Sequence, residues 1–144
     1  MTYDQNCIFC KIIKGEIPAS KVYEDEHALA FLDISQVTKG HTLVIPKSHH
    51  QDLFDLPEDR SKHIFSVIPK IAKGIKQAYQ AKGLNIVNNN GEIAGQTVFH
   101  YHVHLIPRYG KGDGFGAVWK DHSAEYKSED LQQMAREIHA FIKG

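Results

Sequence analysis

Between Pro57 and Gly83 the apolar residues Ile64, Phe65, Ile68, Ile71, Ala72, Ile75, Ala78 and Tyr79 recur at spacings of three and four, which puts them on one stripe of a helix. A lone amphipathic helix must bury that stripe against another element. The flanking sequence supplies strands. Lys21 to Glu24 and Ala28 to Leu32 read as a hairpin around the polar pair Asp25-Glu26, and His41 to Ile45 is a third extended run that Pro46 ends. Leu84 to Asn88 and Val98 to Pro107 are the fourth and fifth. Pro57 suits the first turn of the helix, Pro69 should bend it and Gly83 should end it. This order predicts an α+β fold, a five-stranded antiparallel sheet with helices on one face.

Two shorter helices complete the chain. Ile8 to Lys14 should close at Gly15, and a last helix should start at Ser128 as N-cap, with Glu129 and Asp130 in its first turn. Its apolar face would be Leu131, Met134, Ala135, Ile138, Phe141 and Ile142. With 144 residues, one domain over 1–144 is expected. The 17 basic and 17 acidic residues cancel, so no long-range field attracts a nucleic-acid polymer. No apolar run reaches the ~20 residues of a membrane span, and MTYDQNC lacks the regions of a secretion signal, so the expected location is the cytoplasm. Both cysteines, Cys7 and Cys10, form one CxxC, a spacing that in a reducing compartment points to metal binding or redox work.

The stretch HYHVHLI, His100 to Ile106, alternates His100, His102 and His104 with Tyr101, Val103 and Leu105. On a strand the histidines share one face and the odd-numbered residues face the core. Three imidazoles in strict alternation, ~6.7 Å apart along the backbone, line a surface about as long as a phosphodiester. A His-x-His pair is equally a way to offer two nitrogens to zinc, although the only acidic residue close by in sequence is Glu92. The loop NNNGEIAG, Asn88 to Gly95, lies just upstream, and its Asn and Gly content is that of a tight turn.

GQTVFHYHVHLIPR, from Gly95 to Arg108, resembles the signature of the histidine-triad family. FCKIIKGEIPASKVYEDEHALAFLDI and KGHTLVIPKSHH also follow the family's order, so the resemblance spans about residues 7 to 108, and YGKGDGFGAVWK is similar to bacterial members. The resemblance implies a nucleotide hydrolase or transferase acting at the α-phosphate of a nucleoside phosphoramidate, an adenylylated amine or a dinucleoside polyphosphate. His102 would be the nucleophile and His104 its partner on a phosphate oxygen. Gln96 and Thr97 would face the phosphate and leaving group, and Asn89 with Gly95 the loop that approaches the phosphate. Asp33, with Ile34 beside it, would accept the ribose hydroxyls, while Phe9, Ile12, Ile17 and Leu32 would sandwich the base. His41 matches a fourth histidine that supports the triad. The chemistry is apt, because an imidazole titrating near ~6.5 is an unprotonated nucleophile at neutral pH.

The CxxC is similar to the arrangement in the more distant galactose-1-phosphate uridylyltransferases. Carried over, the ligands are Cys7, Cys10, His49 and His100, a closed structural zinc site, with His50 the competitor of His49. A purine nucleotide, by family habit adenosine, and a homodimer formed through the long helix and the fourth strand are further implications. The rival functions are a nucleotide-binding regulatory protein with incidental catalysis, and a zinc-dependent hydrolase with metal on all three histidines. His27, His63, His122 and His139 stand in polar surroundings and read as solvated.

Overall fold

The computed structural model describes residues 2–142. Its elements are α1 (Ile8–Ile13), β1 (Lys21–Glu24), β2 (Ala28–Leu32), β3 (Thr42–Pro46), α2 (Glu58–Tyr79), β4 (Gly83–Val87), β5 (Val103–Arg108) and α3 (Ser128–Ala140). The strands form one antiparallel sheet in the order β1-β2-β3-β5-β4, so the two halves of the chain meet where β3 pairs with β5. No helix among the described residues is long and apolar enough to cross a membrane.

The five-stranded antiparallel sheet is the expected one, and α2 covers one of its faces. Ile64, Val67, Ile68, Ile71 and Ile75 of α2 are buried with Ala28, Ala30, Val44, Tyr101, Val103 and Leu105. The short α1 adds cover to the opposite face, where Phe9, Cys10 and Ile12 are buried with Leu29, Phe31, Leu43 and Ile45. Both faces of β2 and β3 are therefore dry, which explains their continuous apolar runs. The stripe on α2 is narrower than its spacing suggests. Val67 belongs to the core, while Phe65, about one residue's rotation from the buried line, and Tyr79, the last residue of α2, are exposed.

Several boundaries move. Pro69 lies within a helix assigned without a break, and the helix ends at Gln80, held at φ 54° in the left-handed region, before Gly83 opens β4. The last helix is capped by Lys127 rather than Ser128, and Asp130 accepts the Lys127 amide at 2.8 Å. No residue of α3 is buried, so its apolar positions Leu131 and Ile138 face solvent in this chain. The largest correction concerns β5, which starts at Val103 instead of Val98. β3 pairing stops at Val44 opposite Val103 and β4 pairing at Val87 opposite His104, so the residues before Val103 find no sheet partner. The Tyr101 amide instead donates to His50 O at 2.6 Å.

Candidate active site and metal centre

Although only His104 of the three lies within β5, all three imidazoles collect on the side of the sheet that α1 covers. His100 and His102 are buried, and the rings of His102 and His104 stand 5.1 Å apart. Phe9 presents its edge to both His100 and His102 at 5.9 and 5.2 Å.

The proton positions follow from backbone partners, since a carbonyl can only accept and an amide can only donate. His102 Nδ1 lies 2.7 Å from His100 O, so that nitrogen carries the hydrogen and Nε2 keeps its lone pair. His100 Nε2 lies 2.9 Å from Pro46 O, which leaves its Nδ1 unprotonated. The Val37 amide donates to His41 Nδ1 at 3.2 Å, which puts the proton of the neutral ring on Nε2. That proton goes to His104 Nδ1 at 2.9 Å, so His104 carries its own on Nε2. Burial lowers the pKa of all four rings, to about 4 for His100 and His104, where neighbouring imidazoles add to the effect.

The unprotonated His100 Nδ1 meets two sulfurs and a second imidazole. It stands 3.4 Å from Cys7 Sγ, 3.5 Å from Cys10 Sγ and 3.3 Å from His49 Nδ1, and Cys10 Sγ is 3.4 Å from His49 Nδ1. These four ligand atoms lie within 4.8 Å of one another and could hold a metal ion. Amides of Cys10 and Asp4 point at the Cys7 and Cys10 sulfurs respectively, a pattern that favours thiolates. Burial, with the neighbouring Cys7 sulfur adding to it, pushes the Cys10 thiol up to about 11, so a cation is what would draw its proton off. His50 is turned to Ser48 Oγ at 2.8 Å and leaves the position to His49.

Asp33, His41 and His104 form a second group with donor atoms within 4.8 Å, and Asp33 Oδ2 is 3.6 Å from His41 Nε2. A cation there would need the lone pair of His41 Nε2, which the Val37 amide has assigned to a proton. His41 and His104 form a hydrogen-bonded line with the Asp33 carboxylate beside it.

The remaining expected residues divide. Asp33 Oδ1 accepts the Ser35 amide at 2.8 Å while Ile34 is fully exposed. Phe9 and Ile12 are buried in the core, Ile17 packs against them, and Leu32 is half-buried at the end of β2. Gly95 takes the left-handed φ of 98° beside the Asn89 side chain. Thr97 is exposed beside the pocket shared with Asp4, Cys7 and His49. Gln96 donates to Gln51 O and Val98 O, at 2.8 and 3.0 Å, and its oxygen takes the Gly91 amide. These contacts staple the loop. Asn88, read as ordinary turn chemistry, donates to His102 O at 2.9 Å, and Asn90 supports it through Asn88 Oδ1. The signal available in sequence was only their adjacency to the triad. His63 and His27 are not free in solvent either: His63 donates to Asp25 at 2.8 Å, and Arg60 meets His27 at 2.6 Å. His122 pairs with Glu125.

Residues 14–111 match the HIT domain. The chain is 63% identical over 134 residues to Protein hit of Bacillus subtilis, covering 93% of this chain and 92% of that one. It is 39% identical over 130 residues to an adenosine 5'-monophosphoramidase of Candida albicans, covering 88% and 86%. Among solved structures, a HIT family protein from Bacillus anthracis superposes with a TM-score of 0.94 at 66% identity, over 96% of this chain and 99% of that one. A Zn-bound histidine triad family protein from Mycobacterium smegmatis does so at 0.72 and 38% identity, over 93% and 96%. With the triad set beside a Cys2His2 cluster on this sheet, and with relatives so close over nearly the whole length, the chain belongs to the HIT family.

Proposed function

We propose that this protein is a nucleotide hydrolase or transferase that works at the α-phosphate of a nucleoside phosphoramidate, an adenylylated amine or a dinucleoside polyphosphate. The observation that carries the reading is the bond from His102 Nδ1 to His100 O, which leaves Nε2 as the open lone pair of a buried, unprotonated ring. Nε2 attacks phosphorus, the bond to the leaving group breaks, and the nucleotidyl group is held on His102. Water then attacks the same phosphorus, gives a proton to solvent or leaving group, and returns His102 free. His104, with its proton on Nε2, donates to a phosphate oxygen as charge builds there. Asp33 accepts the ribose hydroxyls through the carboxylate oxygen not taken by Ser35. Asn89 and Thr97 offer an amide and a hydroxyl at the phosphate end, and Phe9, Ile12, Ile17 and Leu32 form the apolar floor for the base. Adenosine is the nucleoside supported by the name of the Candida albicans relative.

The metal of the reading is zinc, held by Cys7, Cys10, His49 and His100. Zinc with sulfur at ~2.3 Å and nitrogen at ~2.0 Å in a tetrahedron sets sulfur and nitrogen ~3.5 Å apart and two nitrogens ~3.3 Å apart. The distances of 3.4, 3.5 and 3.3 Å between these donors suit that geometry. Four protein ligands leave no place for water, so the ion's part is to tie the N-terminal segment to the start of the catalytic strand. A homodimer is also part of the reading, supported by β4 standing at the sheet edge with Ile86 exposed.

The test is rapid quench of the protein during turnover of adenosine 5'-phosphoramidate, followed by mass spectrometry. Adenylyl label on His102 is the expected result. Label on another residue, or turnover with no covalent species and no loss in His102→Ala, would overturn the reading.

A further inference from the structure

The turn from Asp33 to His41 carries two groups of the site; Thr38, Gly40 and His41 are buried at its far end, while its leading half is exposed. Ile34 is fully exposed, and Ser35, Gln36 and Val37 all face solvent. A surface turn without apolar anchors samples many conformations unless hydrogen bonds fix it. Backbone bonds from the Asp33 amide to His41 O and from the His41 amide to Thr38 O, with the Thr38 hydroxyl on Pro107 O, hold part of the turn, and one side chain adds four more. Gln36 Nε2 donates to Asp33 O at 2.6 Å and to His41 O at 2.7 Å. Its Oε1 accepts the amides of Gly40 at 2.8 Å and His41 at 3.2 Å. The amide is saturated, two hydrogens given and two lone pairs filled, and it joins both ends of the turn.

We propose that Gln36 is a positioning residue that fixes the proton pattern of the site. By clamping Asp33 O to the backbone of His41 it holds the next amide, Val37 N–H, over His41 Nδ1. That contact places the His41 proton on Nε2, and the Nε2 proton in turn holds His104 as the Nε2–H form that faces a phosphate oxygen. Without the clamp, Val37 leaves Nδ1, both rings of the line gain their alternative tautomers, and Asp33 loses its fixed station 3.6 Å from His41. His102 stands outside the line, since its tautomer depends on its own backbone contact to His100 O. The geometric part of the proposal is independent of turnover, and only its catalytic consequence rests on the reading of His102 as nucleophile.

Imidazole tautomers are read directly by long-range proton–nitrogen correlation NMR on uniformly labelled protein, with no substrate present. In the parent, His41 and His104 should both show the Nε2–H pattern and His102 the Nδ1–H pattern. In Gln36→Leu, which keeps bulk but neither donates nor accepts, His41 and His104 should shift to averaged patterns while His102 stays. Should Gln36→Leu fail to fold, Gln36→Glu serves, because it keeps the two acceptor contacts and loses the two donations. Kinetics adds a second reading: discrimination between adenosine 5'-phosphoramidate and its 2′-deoxy form should fall about tenfold, the worth of one or two hydrogen bonds. Unchanged His41 and His104 signals in a folded variant overturn the proposal. If the parent shows the expected tautomers but turns over no phosphoramidate, the function falls and the positioning role stands.

Discussion

His102 Nδ1 donates to the carbonyl oxygen of His100 at 2.7 Å, while the ring of His100 turns the other way, to Pro46 O and the two cysteine sulfurs. One backbone carbonyl thus joins the proposed nucleophile to the candidate metal centre. Whatever steadies His100 steadies the acceptor that sets the tautomer of His102, and Asn88 holds the carbonyl of His102 itself.

Replacing the nucleophile separates chemistry from binding. His102→Ala should lower kcat by about a thousandfold or more, since no other group supplies an unprotonated nitrogen at that point. Binding of adenosine monophosphate, measured by calorimetry, should remain within about tenfold of the parent because the proposed sugar and base contacts do not involve His102. Retained turnover would remove His102 from the mechanism.

Asp33→Asn addresses the ribose. A carboxylate accepts from hydroxyls more strongly than an amide, so ribonucleotide affinity should drop by about tenfold and 2′-deoxynucleotide affinity by much less. Competition binding of both sugars measures the ratio. Equal losses would show that the contacts of Asp33 with Ser35 and His41 matter for the turn alone.

The metal prediction needs elemental analysis and a melting curve. The parent should hold about one zinc per chain, and Cys7→Ser with Cys10→Ser should hold none. Loss of the ion should lower Tm by ten degrees or so, an order-of-magnitude expectation from the coupling of metal binding to folding. Part of the activity should survive, because the four proposed ligands would close the tetrahedron and none is His102. A folded double variant with no activity would point to a catalytic ion instead.

Asp25 offers a pH test of stability. Burial pushes its carboxyl up, but bonds from the Tyr23 hydroxyl, the His27 amide, the His63 ring and the Ala28 amide outweigh this and hold it well below the usual carboxylate range. A depressed folded-state pKa stabilises the protein above the unfolded value of ~3.9, and this stabilisation is lost as pH falls from there toward the folded value. Asp25→Asn should therefore cost about 1–2 kcal/mol at pH 7, a few degrees in Tm, and the gap to the parent should narrow below about pH 4. A gap that stays constant from pH 7 to pH 3 would count against the account.

The sequence by itself determined the elements whose signal is local. The stripe on α2, the hairpin around Asp25, the alternating histidines and the CxxC are patterns of residue type at fixed spacing, and such spacing survives into the fold because it follows the period of helix or strand. The motif resemblance carried the family and the four candidate metal ligands, which the structure brings together with donor atoms within 4.8 Å of one another. Other features were decided only in three dimensions. β5 starts at Val103 because its neighbours on both sides run out there, and no residue between Val98 and His102 announces it. His49 rather than His50 reaches the cysteines because Ser48 and the Tyr101 amide engage His50 on the other side. Gln96 donates to Gln51 O and Val98 O, and each imidazole takes its proton position from Pro46 O, His100 O or the Val37 amide. Backbone carbonyls and amides are common to every residue and leave no mark in a sequence, so which nitrogen holds a proton is settled only when the tertiary fold brings one of them within reach.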